Sequence, residues 1–185
     1  MPGIEIPNSQ IAGNALQYRT AADLLFRHMK DVNCVLPLLT CASFAIELYL
    51  KSLNAFSVYH LDDESDLGEE GQEFALEPSC DGDDEIEDSD VYRVTASPVG
   101  HGHKLEDLFN SINAPIRQQM EDKYRSETHT EFVDDLKPYN RTFVDARYCF
   151  EKSGGNLLGY GSISQIVRLS AFVSDFVICL LRKGT

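Results

Sequence analysis

LPLLTCASFAIELYLKSLNA, residues 36–55, decides the fold. Leu39, Ser43, Ile46, Leu50 and Leu53 recur at steps of three and four, the spacing of one helical face. Pro37 falls in the first turn, where a missing N–H leaves no bond unmade. Phe44, Leu48 and Tyr49 widen the apolar surface beyond one stripe, so the helix is expected to be central and largely surrounded. Glu47 and Lys51 interrupt it, spaced i,i+4 with the acid first, the favourable order.

Helical patterning continues on both sides. Asn8 or Ser9 can cap a first helix running to about Lys30, with Ala15, Tyr18, Ala22, Leu25, Phe26 and Met29 on one side. After residue 100, Leu105, Leu108, Phe109 and Ile112 define a short amphipathic helix beginning near His103. Pro115 opens another, Thr128 or Thr130 is placed to cap the next, and Pro138 is expected to kink or restart it. Phe143, Ala146, Arg147 and Phe150 share adjoining faces of a further segment. Ser162 is the expected cap of the last helix, whose apolar surface exceeds one buried stripe.

Between these halves the pattern stops. From Asp62 to Asp90 there are 15 acidic residues and no Lys or Arg. Outside that stretch 15 acids face 16 bases, so the net charge of -14 belongs to one segment. Such composition favours a solvated, mostly irregular insertion over about 57–100. Alternation at 72–77 and 91–96 leaves room for a small β-ribbon at its base.

At 185 residues the chain suits a single domain, 1–185, with one substantial core. No apolar run is expected to reach the roughly 18 to 20 residues of a bilayer span, and MPGIEIPNSQ has no signal-peptide pattern. Five scattered cysteines without a CxxC pair fit a reducing, cytoplasmic setting.

Three elements in order resemble the HEPN domain (higher eukaryotes and prokaryotes nucleotide-binding): Glu47-Leu48-Tyr49-Leu50-Lys51, like its E-x-x-x-K helix; Gly102-His103-Lys104-Leu105 with Leu108, like its Gly-His-x-Leu helix start; and Ala146-Arg147-Tyr148, like its Arg-Tyr element. The resemblance implies a helical bundle, dimerisation, and roles around RNA cleavage, nucleotide transfer or defence systems. It also implies that His103 and Arg147 are partners of Glu47 and Lys51. The chain departs from the family's ribonucleases, which carry Arg and His four to six residues apart. After Arg147 those positions hold Lys152, Ser153 and Gly154, and neither Arg125–His129 nor Arg93–His101 has the spacing.

Other chemistry is thin. His101 and His103 have metal-ligand spacing without an evident third ligand, so a tight turn with His103 capping or anchoring the next helix is expected. Asp81, Asp83 and Glu85 lack the glycine position of an EF-hand loop. The glycines at 154–161 match no phosphate-loop motif. The sequence therefore leads to an all-α bundle of five or six helices with an acidic insertion. Glu47, Lys51, His103, Arg147 and Tyr148 are expected to form a functional or polar cluster, with no metal and no cofactor. The expected role is non-catalytic binding of a partner protein, nucleotide or RNA, in a defence or toxin–antitoxin system, by a cytoplasmic homodimer free of the membrane. The alternative is an RNase or nucleotide-handling enzyme with a non-standard Arg/His/Glu/Lys site.

Overall fold

The computed structural model describes residues 7–30, 33–61, 92–98, 102–147 and 160–183; of these, 56–61, 92–98, 147 and 160–162 are described by backbone course alone. Helices dominate: α1 (Ser9–His28), α2 (Val35–Ser52), α3 (Leu105–Ser111), α4 (Ala114–Thr128), α5 (Phe132–Leu136), α6 (Thr142–Arg147) and α7 (Tyr160–Lys183). A 3-10 turn, Lys137–Tyr139, separates α5 from α6 around Pro138. Counted as one broken run, that stretch brings the bundle to six helical elements among the described residues. The class is all-α.

Asn8 caps α1, its side-chain oxygen accepting from the Ile11 N–H at 3.0 Å. Its own N–H donates to the Ser52 carbonyl at 2.8 Å, which ties the start of α1 to the end of α2. Asn8→Ala is therefore expected to cost about 1 kcal/mol, the usual worth of such a cap, measured by urea denaturation. Alanines at 12, 15 and 22 form the buried seam of α1 and let it lie close against α2. Tyr18, expected on that side, is instead 41% exposed, because the small residues rather than the large ones take the interface.

α2 is the centre of the bundle, packed by α1, α3, α6 and α7. Leu38, Leu39, Ala42, Ala45, Ile46, Tyr49 and Leu50 are all buried. Tyr49 Oη and Ser174 Oγ lie 2.9 Å apart and satisfy each other inside the α2–α7 contact. Burial pushes the Tyr49 phenol above its ordinary range. The helix ends at Ser52, three residues before the expected Ala55. Asn54 leaves it to donate to the Leu108 carbonyl (3.2 Å) and Ser111 Oγ (2.8 Å), which anchors α3.

Two strands, β1 (Ala55–Leu61) and β2 (Tyr92–Pro98), pair as a two-stranded sheet. β2 overlaps the expected 91–96 strand. Its partner is the segment that follows α2, and the other expected strand, at 72–77, lies outside the described residues. So do the acidic stretch from residue 62, His101, and the glycines at 154, 155 and 159.

Two helix starts differ from expectation. Glu131, not Thr128 or Thr130, occupies the cap position of α5, while Thr130 Oγ1 donates to Asp135 Oδ2 at 2.7 Å. α7 begins at Tyr160, two residues before Ser162; first-turn positions need no intrahelical N–H partner, so Gly161 is tolerated there. The apolar surplus of α7 is spent inside the chain: Ile163, Ile166, Leu169, Val173 and Val177 are buried. Among the described residues the exposed large apolar side chains are Leu16, Tyr18 and Leu24, all on α1.

Contrary to the expectation that no apolar run reaches bilayer length, Val35–Ser52 and Ile163–Lys183, with mean hydropathies of 1.3 and 1.6, are long and apolar enough to cross a membrane by length and composition. A core helix of a bundle needs the same composition, and more than half of each stretch, 56% and 61%, is buried inside this fold.

Candidate functional site

Glu47 projects from the fourth turn of α2 into the space facing α3 and is 0% exposed. Its Oε1 accepts from Lys51 Nζ at 2.8 Å, one helical turn along, and from His103 Nδ1 at 2.9 Å. An oxygen that accepts here requires a proton on Nδ1, so Nε2 is left as the acceptor of the neutral ring. Oε2 is buried and has no hydrogen-bond partner among the described residues. The two donors differ in access: Lys51 keeps 18% of its side chain exposed, His103 55%.

His103 reaches Glu47 because of what precedes it. Gly102 has φ +149, a backbone conformation that side-chain-bearing residues rarely adopt. The chain thereby turns into α3 with the imidazole directed back at α2. The helix itself begins at Leu105 with Lys104 in the cap position, so His103 does not cap α3; it anchors the approach to it.

A row of rings leads to this cluster across three helices. Tyr18 of α1 meets Phe44 of α2 edge-on at 4.7 Å between centroids. Phe44 stacks on Phe143 of α6 at 4.5 Å with the planes 13° apart. Phe143 meets the His103 ring at 5.7 Å. Phe44 and Phe143 are half-buried, so the row borders solvent instead of lying in the core. Sequence periodicity places Phe44 and Phe143 on their helices, but nothing in it signals that they stack.

The structure thus brings Glu47, Lys51 and His103 together from α2 and the approach to α3. Arg147 is the last residue of α6, which packs on α2, but its side chain lies outside the described residues, as does Tyr148 altogether. The expected Glu47–Arg147 pairing falls there too.

A second polar group was not anticipated. Asp135 accepts from Tyr124 Oη and Thr130 Oγ1, both at 2.7 Å, and from Gln165 Nε2 at 2.8 Å. Gln165 in turn accepts from Tyr139 Oη at 3.1 Å. Burial, then the bond to Asp135, pushes the Tyr124 phenol far above its ordinary range. It therefore stays a donor at any physiological pH. These residues come from α4, the α4–α5 turn, α5, the 3-10 turn and α7, and no local motif links them in sequence. Elsewhere, burial raises the Cys41 thiol, which opposes formation of a reactive thiolate. Among the described residues no three His, Cys, Asp or Glu side chains are grouped to hold a metal.

Fold and site together define an all-α bundle whose central helix holds a buried carboxylate beneath an accessible histidine. No family model, no curated protein and no solved structure matches this chain.

Proposed function

We propose that this chain is a divergent HEPN-like protein that works by binding, with RNA or a nucleotide favoured over a protein partner, in a cytoplasmic defence or toxin–antitoxin setting. The supporting observation is the ring row Tyr18–Phe44–Phe143–His103 ending at the Glu47–Lys51 pair. Aromatic surfaces at a solvent border stack on bases with little regard to sequence, and a nearby ammonium favours phosphate. The carboxylate is too deeply buried to touch a substrate, which argues for a role in holding His103 in place. A homodimer is part of the reading: it would cover Leu16 and Leu24 on α1.

One feature favours the enzyme alternative. A carboxylate that fixes Nδ1 and leaves Nε2 outward is the arrangement of a histidine general base. Among the described residues no nucleophile within hydrogen-bond reach of His103 accompanies it, so binding is the stronger reading.

Fluorescence anisotropy with labelled single-stranded RNA, run beside a cleavage assay on total RNA, tests both. The expected result is salt-sensitive binding without cleavage, weakened about tenfold in His103→Ala and Phe143→Ala, since stacking on one base is worth about 1 to 3 kcal/mol. Absence of binding in the parent refutes the RNA reading. Cleavage that is lost in both His103→Ala and Arg147→Ala establishes the enzyme alternative.

A further inference from the structure

A cleft of about 570 Å³ lies between α4, α5 and α7 and shares no lining residue with the Glu47–His103 cluster. α7 lines it with Arg168, Ala171, Phe172 and Asp175, spaced i, i+3, i+4 and i+7, which is a single helical face. Arg168 and Asp175 are exposed, and neither makes a salt bridge or hydrogen bond among the described residues. Their backbones stand ~10.5 Å apart along the helix axis, at 1.5 Å per residue. Between them Ala171 is too small to fill the gap, and Phe172 lends a ring.

That ring already attracts a cation: Lys123 Nζ sits 5.7 Å from its centroid. The facing wall carries Asp135, whose carboxylate is fixed by three donors and cannot swing away. Glu127 stands at the rim, loosely paired with Lys123 at 3.9 Å. Three acids against Arg168 and the nearby Lys123 leave the cleft net negative, while the Arg168 guanidinium marks a seat for a carboxylate.

We propose that this cleft binds a free basic amino acid. The ligand carboxylate pairs with Arg168, where the planar fork gives two parallel bonds. Its terminal ammonium or guanidinium meets Asp175, and its methylene stem lies over Ala171 and Phe172. A lysine or arginine molecule carries its charges at opposite ends of an apolar stem, which is the pattern the face of α7 offers. A zwitterion of glycine size cannot touch both ends.

Titration of the full chain with L-arginine, followed by amide chemical shifts and by calorimetry, tests this. Expected is saturable binding with shifts centred on 168–175. Agmatine, which is arginine without its carboxylate, binds about fivefold more weakly, the equivalent of one exposed ion pair worth about 1 kcal/mol. Arg168→Gln removes the advantage of arginine over agmatine, because the carboxylate loses its partner while the doubly cationic agmatine loses a like charge, whereas Asp175→Asn weakens both. Both side chains are exposed, so the variants are expected to melt like the parent by circular dichroism. Equal affinity for agmatine and arginine in the parent overturns the proposal, leaving only an acidic patch that attracts cations. Failure to saturate at millimolar arginine, or shifts undisturbed by Asp175→Asn, overturns it as well. RNA binding measured on the same variants keeps this outcome separate from the His103 reading, because no residue is shared.

Discussion

Lys51→Ala loses about 3 kcal/mol of folding stability, while Glu47→Met loses less than about 1 kcal/mol or gains. The asymmetry follows from where the charges sit. Glu47 is wholly buried, and Lys51 and His103 share its Oε1 while Oε2 has no donor among the described residues. Removing Lys51 leaves a buried carboxylate with a single, half-exposed imidazole as its donor. Removing the carboxylate instead abolishes its desolvation cost, and Lys51 can extend to water from its partly exposed position. Lys51 reaches solvent, which puts its loss at the low end of the range of about 3 to 5 kcal/mol for breaking a buried pair. Urea denaturation of the two variants decides the matter; in a chain of this size the Lys51→Ala loss corresponds to about 6 to 12 °C in Tm. A Lys51→Ala protein within about 0.5 kcal/mol of the parent would show that the carboxylate is not held as described.

Phe132→Ala is expected to lose about 4 kcal/mol, the larger of the two effects, as fully buried aromatic truncations do. Phe132 is 0% exposed and anchors α5, a helix of five residues that is far too short to persist unaided. Its ring contacts Phe109 of α3 at 4.9 Å, Tyr124 of α4 at 5.2 Å and Phe172 of α7 at 5.8 Å. One side chain thus joins four helices. Phe132→Leu keeps most of the volume and loses about 1.5 kcal/mol. Hydrogen exchange supplies the local readout, because amides of α5 should exchange before those of α2 in the alanine variant. A loss below about 1 kcal/mol would contradict the ring's placement in the core. The same truncation loosens the cleft beside it, since Tyr124 and Phe172 both rest on this ring.

The all-α class and the main helix segments were legible in the order of residues. Residues 36–55 show why. Apolar residues at three- and four-residue steps can be buried together only on a helix, so the pattern carries the answer within a few turns. The α2 helix ends early, at Ser52, because Asn54 bonds to Leu108 and Ser111, partners more than fifty residues away. The site divides along the same line. Glu47 and Lys51 share a helix face, so their bond is local and legible. His103 joins them only because Gly102 turns the chain at a φ that no spacing rule reveals. The ring row from Tyr18 to Phe143, and the Asp135 group with its donors from α4, the α4–α5 turn and α7, were decided by tertiary packing alone. Contacts between segments depend on helix crossing and loop path, and a one-dimensional period contains neither. Local periodicity settled which residues are helical, and only the packed bundle settled which of them meet.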